Sequence, residues 1–226
     1  MMKGIVFTGG SGPSRDMCNA LAKEAGIIAA ADSGLLLAEN AGICPNMIIG
    51  DMDSLDDTGR LKNYAPETVL RYPRAKDYTD TELALNKLWD AGCDEVLIAG
   101  GGGGRTDHLL AIYSLFEREM PPDRWITAAE DMFCLKAGRE LKRRIGPEGI
   151  VSVFPLGEGP WEAESSSLKW PLKGLEWKRG SFGISNTAET ADTRSVDFKS
   201  VEFRIRSICG RFLIILPFGE SYGSNN

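Results

Sequence analysis

Asp51 and Asp53, one residue apart, are the side chains of this sequence with the clearest capacity for chemistry. They follow a short apolar run at residues 47–49, which is typical of the end of a β-strand. Successive side chains of a strand point to opposite faces, so these two carboxylates are predicted to project together. Mg²⁺ prefers one or two protein carboxylates, with water and substrate phosphates as its other ligands. The pair therefore indicates a metal–phosphate site, with a solvated acidic loop as the alternative.

Polar segments of the same kind follow three other predicted strands. Each carries Asp, Gly, Lys or Arg, and the segments are residues 31–34, 76–80 and 100–108. In an open α/β sheet the ligand crevice lies outside the carboxyl ends of the strands. We therefore predict one shared catalytic crevice that includes Asp32, Lys76, Asp77 and Asp80.

The glycine run at residues 100–104 is the third feature with phosphate chemistry. Glycines such as Gly103 and Gly104 let backbone N–H groups approach phosphates closely, because no Cβ stands in the way. Arg105, directly after the run, can present a planar fork to phosphate oxygens. A flexible surface loop is the alternative for the glycines alone.

Four residues of these segments have two interpretations each. Asp107 is either the N-cap of the next helix or part of the site, and His108 is either a base or a hydrogen-bonding strut. Asp77 and Asp80 flank a helix start, where the helix dipole favours anions. The adjacent Lys76 favours a phosphate site there.

The elements that must position these groups alternate between strands and helices up to about residue 130. The predicted strands are residues 4–8, 27–31, 47–49, 68–72, 96–99 and 125–128, and the predicted helices are residues 13–25, 33–41, 79–91 and 107–119. Continuous apolar strands separated by helices indicate a parallel sheet covered on both faces.

The last third of the chain has a different pattern. Helical periodicity is nearly absent from about residue 138, and short β-rich runs appear at residues 150–154, 196–208 and 211–216. The predicted fold class is therefore α/β, with an open parallel α/β sheet domain at residues 1–134 and a smaller all-β, sandwich-like domain at residues 135–226. Only the tail at residues 221–226 is predicted to be disordered.

Composition excludes several classes of function. The net charge is -6, with 32 acidic against 26 basic residues, which argues against binding to nucleic acid or anionic membranes. The five cysteines are widely spaced without a CxxC, and a single histidine excludes His-pair metal motifs. The chain shows no signal peptide and no membrane-spanning stretch, so a reduced, cytoplasmic protein is expected.

The combination of segments resembles the thiamine pyrophosphokinase family. The matching segments, in family order and spacing, are Ala-Asp-Ser-Gly at 31–34, Gly-Asp-Met-Asp-Ser at 50–54, Lys-Asp-x-Thr-Asp at 76–80, Gly-Gly-Arg-x-Asp-His at 103–108, Leu-Lys-Trp-Pro-Leu at 168–172 and Gly-Ile-Ser-Asn at 183–186. The resemblance implies transfer of the diphosphate of ATP to the hydroxyl of thiamine, with Mg²⁺, giving thiamine diphosphate and AMP. It also implies a homodimer in which thiamine lies between one subunit's α/β domain and its partner's β domain.

The resemblance implies a role for each matching residue. Asp51, Asp53 and Asp80 would hold Mg²⁺ and, with Arg105, form the catalytic set. The substrate-binding residues would be Asp32, Lys76, Asp77, Gly103, Gly104, Asp107, His108, Ser185 and Asn186. Asp80 is the candidate acceptor for the proton of the thiamine hydroxyl.

Three positions depart from the family pattern. Ser33 replaces a usual glycine, and Ile112 replaces a common asparagine. The aromatic residue that often follows the Ser-Asn pair, to stack on the thiamine pyrimidine, is also missing. Trp170 and Trp177 are either substitutes for it or buried tryptophans of the β domain.

Two other classes of function remain open at this stage. A haloacid-dehalogenase-like phosphatase uses Asp-x-Asp after a strand, but after the first strand of its fold and with Thr or Val where this chain has Leu55. A non-catalytic nucleotide or thiamine diphosphate sensor would keep the crevice, but it has little need for several costly like charges.

Overall fold

The computed structural model describes residues 1–53, 55, 58–146, 148–189 and 200–218. The chain forms two compact units. The first contains residues 1–115 and 122–128, and the second contains residues 116–121 and 129–226. Every helix in the described residues is too short or too polar to traverse a bilayer.

The first unit is a parallel sheet with helices. Its strands are β1 (Lys3–Thr8), β2 (Ile27–Ala31), β3 (Met47–Gly50), β4 (Val69–Arg71), β5 (Glu95–Gly100) and β6 (Arg124–Ile126). Its helices are α1 (Arg15–Glu24), α2 (Gly34–Asn40), α3 (Asp80–Asp90) and α4 (Thr106–Leu115), with short 3₁₀ turns at Thr58–Asn63 and Pro66–Thr68. The strands lie in the order β6-β5-β1-β2-β3-β4, and all of these pairs are parallel.

Helices α2 and α3 cover opposite faces of this sheet. Leu35 of α2 packs in one buried cluster with Ala30, which pairs with Phe7 in the sheet. Thr8, the next residue of β1, bonds through its hydroxyl to that of Thr81 in α3, 2.7 Å away. Consecutive strand residues face opposite ways, so the two helices lie on the two sides. Both faces are buried, which explains why these strands are apolar throughout.

The second unit is a β-sandwich. Its strands are β7 (Glu130–Leu135), β8 (Glu140–Ile145), β9 (Ile150–Leu156), β10 (Glu162–Ser166), β11 (Gly183–Thr187), β12 (Val201–Cys209) and β13 (Arg211–Pro217). Strands β11-β9-β13-β7 form one antiparallel layer, and β10-β12-β8 form the other. Side chains of both layers share one core, including Phe133, Phe203 and Phe212.

The predicted fold class is confirmed, with differences in detail. The predicted boundary at residue 134 falls inside β7, because β7 pairs with β13 of the second unit. Four strands were not predicted, namely β7, β8, β10 and β11. Strand β8 illustrates the reason, since its sequence is Glu-Leu-Lys-Arg-Arg-Ile and only its two apolar residues are buried. The predicted strand at residues 196–208 begins at Val201, and residues 196–199 and the tail at 221–226 lie outside the described residues.

Candidate active site

A cavity of about 440 Å³ opens at the carboxyl ends of β1, β2, β3 and β5. Strand β1 lies between β2 and β5. Strands β2 to β4 are added on one side of β1 and strands β5 and β6 on the other, so the strand order reverses at β1. Such a reversal leaves a crevice between the loops that leave neighbouring strands. The lining includes Asp32, Asp51, Lys76, Asp80, Gly103, Gly104, Arg105 and His108. The structure thus brings residues from all four predicted segments together.

Three carboxylates converge in the cavity. Asp32, Asp51 and Asp80 each present an oxygen within 4.8 Å of the other two. Gly50 makes this approach possible, because a Cβ at that position would lie 3.2 Å from Asp32 Cβ and from the carboxyl carbon of Asp80. Its backbone also has a φ of 153°, which side-chain-bearing residues rarely adopt. Sequence reasoning found the three aspartates but not the role of this glycine.

The cluster has an electrostatic cost, and Lys76 is the one cation among the described residues that pairs with it. Burial raises the pKa of Asp80, and the neighbouring Asp32 and Asp51 add to this, while Lys76 opposes it. Lys76 Nζ lies 2.9 Å from Asp80 Oδ1. Oδ1 of Asp32 is buried, and no group in the described residues donates a hydrogen bond to it. Unpartnered carboxylate oxygens in a converging set are what a hard cation binds.

Asp53 lies outside this cluster. Strand β3 ends at Gly50, and Met52 has a φ of 68° with its side chain buried, so the strand geometry expected through Asp53 does not form. The backbone N–H of Asp53 donates to Asp51 Oδ1 at 3.0 Å. Its exposed carboxylate pairs with Arg74 at 3.3 Å. The predicted metal-binding role of Asp53 stays a prediction, and Asp32 takes its place in the geometry.

The glycine run forms part of the cavity wall. Gly101, Gly103 and Gly104 have φ values of 74°, 64° and 71°. Positive φ turns successive backbone N–H groups toward one side and leaves the wall free of side chains. The N–H of Ser11 donates to the carbonyl of Gly102 and the N–H of Gly102 donates to the carbonyl of Ser11, at 2.6 and 3.0 Å. The two glycine-containing loops therefore support each other.

Arg105 and Asp107 form an exposed two-point ion pair. Arg105 Nε and Nη2 donate to the two oxygens of Asp107 at 3.1 and 2.5 Å, which lowers the pKa of that carboxyl. Helix α4 begins at Thr106, so Asp107 lies in its first turn rather than at its N-cap. Asp107 orients Arg105, while Arg105 and the exposed His108 line the cavity.

The start of α3 shows how the local sequence positions Asp80. Thr79 Oγ1 accepts from the N–H of Glu82 at 3.2 Å, and the Glu82 carboxylate accepts from the N–H of Thr79 at 3.3 Å. This reciprocal cap fixes the first turn, where Asp80 is the first helical residue. Asp77 is exposed and does not line the cavity. Its predicted substrate-binding role stays a prediction.

Arg74 and Tyr78 are two lining residues that sequence reasoning missed. Both lie on the segment between β4 and α3 that also carries Lys76. Their position in the sequence, close to Lys76, Asp77 and Asp80, could have predicted them, because a short loop beside a site contributes several side chains to it.

Ser185 and Asn186 lie on strand β11 of the second unit. Asn186 is buried, and its Nδ2 donates to the carbonyl of Trp170 at 2.6 Å. Its Oδ1 accepts from the N–H groups of Trp170 and Thr187 at 3.1 and 3.0 Å. Ser185 is exposed, and its N–H donates to Ser152 Oγ at 3.2 Å. The Asn186 amide therefore holds backbone in place, and Ser185 is the more accessible of the pair.

Two family matches cover most of the chain. Residues 18–123 match the thiamin pyrophosphokinase catalytic domain, and residues 140–201 match the thiamin pyrophosphokinase vitamin B1 binding domain. The chain belongs to the thiamin pyrophosphokinase family. This confirms the family predicted from the sequence, and with it the thiamine pyrophosphokinase function; neither the phosphatase nor the sensor is favoured.

Individual relatives agree with this assignment. The thiamine pyrophosphokinase of Bacillus subtilis (strain 168) is 28% identical over 155 residues, covering 66% of this chain and 72% of that protein. A crystal structure of the thiamine pyrophosphokinase from Bacillus subtilis has a TM-score of 0.72 at 23% identity, covering 97% of this chain and 100% of that one. The thiamin pyrophosphokinase from Geobacillus thermodenitrificans has a TM-score of 0.70 at 22% identity, covering 98% and 100%. The structural likenesses show the shared fold.

The structure explains two of the departures from the family pattern. Ser33 has a φ of -60°, so this position needs no glycine. Its hydroxyl lies against Gly9, and a Cβ at Gly9 would be 2.1 Å from Ser33 Oγ. Ile112 is buried at the cavity, and its Cδ1 would lie 2.3 Å from a Cβ at Gly101. In this chain an apolar contact thus occupies the place of the family's common asparagine.

The two tryptophans considered for the missing aromatic differ in the structure. Trp177 is partly buried and packs edge-on against Phe212, with ring centroids 5.2 Å apart, so it belongs to the sandwich core. Trp170 is 51% exposed, and it is therefore not one of the buried tryptophans of this domain.

Proposed function

We propose that this chain transfers the diphosphate group of ATP to the hydroxyl of thiamine, with Mg²⁺ held by Asp32, Asp51 and Asp80. The observation that supports the proposal most directly is the convergence of these three carboxylates within 4.8 Å at the carboxyl edge of the sheet. Transfer of this kind needs in-line positioning and charge neutralisation more than covalent help from the protein. A carboxylate cluster beside a glycine-lined wall supplies both.

The donor set fits Mg²⁺. All three groups offer carboxylate oxygens, the oxygens lie close enough to share one ion, and Asp32 Oδ1 lacks a hydrogen-bond donor among the described residues. When bound, the ion would neutralise phosphate charge and polarise the phosphorus that is attacked. The role of Mg²⁺ in this chain remains part of the proposal.

The phosphate chain would lie between the carboxylates and the glycine wall. The N–H groups of Gly103 and Gly104 and the guanidinium of Arg105 are available from one side, and Lys76 Nζ is available beside Asp80. Fixed cations and backbone dipoles of this kind stabilise charge as it develops in the transition state. Asp107 keeps the Arg105 fork in place.

Asp80 is the carboxylate that we assign as acceptor of the thiamine hydroxyl proton. It lines the cavity beside Lys76, and a carboxylate in that place can accept the proton as attack on the phosphorus proceeds. Its position at the rigid, doubly capped start of α3 holds it steady beside the cavity. Ser185 and the backbone that Asn186 holds would contact thiamine in the second unit.

The direct test is AMP release from ATP and Mg²⁺, with and without thiamine, with thiamine diphosphate measured in the same reaction. We expect AMP only when thiamine is present, in equal amount to thiamine diphosphate. Release of inorganic phosphate without thiamine would indicate a phosphatase instead. Binding of both substrates without any product would indicate a sensor.

Mg²⁺ is expected to stabilise the wild-type protein but not Asp80→Asn. Because the pKa of Asp80 is raised, ionisation of this carboxyl costs native stability, and the cost grows as the pH rises from the ordinary carboxyl pKa through the raised one. The neutral amide removes that cost, so the metal-free variant should melt a few degrees above the metal-free wild type. Only the wild type should then gain further with added Mg²⁺. Thermal denaturation with EDTA and with Mg²⁺ measures both effects, and an equal Mg²⁺ gain in the variant would remove Asp80 from the metal site.

Arg74→Ala is expected to raise the KM for ATP about tenfold, because a charged hydrogen bond to a phosphate would be lost. Arg74 lines the cavity and is held at its mouth by Asp53. Arg71 is an exposed arginine of β4 that does not line the cavity, so Arg71→Ala is the matched control. Initial rates at varied ATP would decide, and equal KM values for the two variants would contradict the assignment.

We also propose a homodimer with active sites shared between subunits. The exposed Leu175 and Ile184 of the second unit support it, since large apolar side chains at a surface favour an interface or a ligand. A cytoplasmic location stays a prediction.

Mixing two variants that are each damaged in one unit, assayed at thiamine concentrations far below the KM, tests the shared site. Asp51→Asn damages only the first unit and Asn186→Ala only the second. If each site combines units of different subunits, refolding an equal mixture should restore roughly a quarter of wild-type activity, since half of the dimers are mixed and each holds one intact site. No recovery in a mixture that sediments as a dimer would place each site within one chain.

A further inference from the structure

Trp170 is an exposed aromatic side chain whose backbone is held from both sides. Its N–H and its carbonyl are both bound by the amide of the buried Asn186, at 3.1 and 2.6 Å. The N–H of the preceding Lys169 donates to the carbonyl of Thr187 at 2.9 Å. The flanking Leu168 and Leu172 are buried in the sandwich core. An indole that is 51% exposed is thus mounted on a rigid support.

The face of this indole already attracts a cation. Lys169 Nζ lies 4.8 Å from the Trp170 ring centroid. Tryptophan has the strongest cation–π attraction of the aromatic side chains, because the face of its ring carries negative potential. A lysine ammonium on a flexible stem is readily displaced by a ligand that combines positive charge with a flat surface.

Thiamine has both of these properties. Its thiazolium ring is aromatic and carries a permanent positive charge, and its hydroxyethyl group is attached to that same ring. The vitamin B1 binding match spans residues 140–201 and therefore includes both Trp170 and Asn186.

We propose that Trp170 is a specificity-determining residue for thiamine, with its indole stacking on the cationic thiazolium ring. Asn186 is then a positioning residue, since its amide holds the backbone of Trp170 on both sides. Lys169 covers the ring until thiamine displaces its ammonium. This inference rests on the proposed function and identifies how the substrate is recognised.

The test compares two small probes that differ in charge. 5-(2-Hydroxyethyl)-4-methylthiazole is neutral, and its N-methylated thiazolium has nearly the same shape with a positive charge. Binding is measured calorimetrically and by tryptophan fluorescence without ATP, so it does not depend on turnover. We expect the wild type to bind the thiazolium about tenfold more tightly than the thiazole, as cation–π contacts allow.

Variants identify the residue responsible. In Trp170→Leu the preference for the charged probe should disappear and the KM for thiamine should rise about tenfold, while the KM for ATP stays constant. Trp170→Phe should keep part of the preference. Phe182 is a matched control because it is also an exposed aromatic of this unit, stacked on Phe154, and Phe182→Leu should keep the full preference.

Asn186→Ala should weaken the preference through loss of the backbone support. A purely structural role would lower stability without changing the ratio between the two probes, so the ratio separates positioning from folding. Lys169→Gln should bind the thiazolium at least as tightly as the wild type, because a competing cation has been removed.

Several results would overturn the inference. A full preference for the charged probe in Trp170→Leu is one, and an equal loss in Phe182→Leu is another. A change of Trp170→Leu from dimer to monomer in sedimentation, with the probe ratio unchanged, would make the indole an interface residue instead. Failure of the proposed function would be visible separately, as absence of thiamine diphosphate from the wild type despite normal probe binding.

Discussion

Asp51→Asn is expected to lower thiamine diphosphate formation about a thousandfold, the loss typical of removing one group that stabilises transition-state charge. Asp51 is one of three carboxylates within 4.8 Å in the cavity. The asparagine keeps Oδ1, which accepts the N–H of Asp53, so the turn after β3 should survive. The change therefore removes charge with little effect on shape. The measurement is the initial rate at saturating ATP, thiamine and Mg²⁺, together with the melting temperature.

Asp53→Asn is the matched control for this prediction. Its carboxylate is exposed and faces Arg74 rather than the other aspartates, so we expect little loss of rate at saturating substrates and a rise in the KM for ATP of at most about tenfold, through the release of Arg74. Equal losses in the two variants would mean that Asp53 joins the metal site when substrates bind. That outcome would restore the metal-binding role expected from the sequence and from the family resemblance.

Gly34→Ala is expected to destabilise the first unit by about 3 kcal/mol, at the upper end of what overpacking costs. A Cβ at Gly34 would lie 2.1 Å from the carbonyl oxygen of Phe7 and 2.6 Å from the Cα of Thr8. Both are backbone atoms of the central strand β1, so neither can rotate away. Helix α2 would have to move off the sheet, and Asp32, two residues before Gly34, would move with it. Chemical denaturation and turnover should therefore both be affected.

Gly146→Ala provides the control for an added methyl group. A Cβ at Gly146 would meet no atom of the described residues within 4 Å, and this glycine has no positive φ. The free energy of unfolding of Gly146→Ala should therefore be close to that of the wild type. A free energy of unfolding of Gly34→Ala equal to that of the wild type would show that α2 packs less closely on β1 than these distances indicate.

Local sequence was sufficient for the parallel sheet and for the position of its crevice. Fully buried strands must be apolar along their whole length, and polar residues can appear only where the strands end. The segments at Asp32, Asp51, Asp80 and Arg105 were therefore recognisable as strand-end or helix-start loops, and such loops meet at one edge of a parallel sheet. The capping pair Thr79 and Glu82 was equally readable, because it depends on contacts three residues apart.

The sandwich was harder to read because its strands bury only one face. Strand β8 has just two buried side chains, and β11 has a single buried one, Asn186, which is polar. Their place in the fold depends on partners distant in sequence. For the same reason the predicted boundary at residue 134 cut through β7, whose partner β13 lies near the other end of the chain.

The sequence by itself determined the family, the order of the strands and helices of the first unit, and the set of aspartates, since each depends on residue type and short-range spacing. Only the tertiary structure decided which carboxylates meet. Asp32 joins the cluster and Asp53 leaves it because Gly50 lets two neighbouring loops approach and the positive φ of Met52 ends the strand alternation. It likewise decided that the Asn186 amide binds backbone and that Trp170 is exposed. Such choices depend on where distant segments pack, which spacing along the chain does not encode.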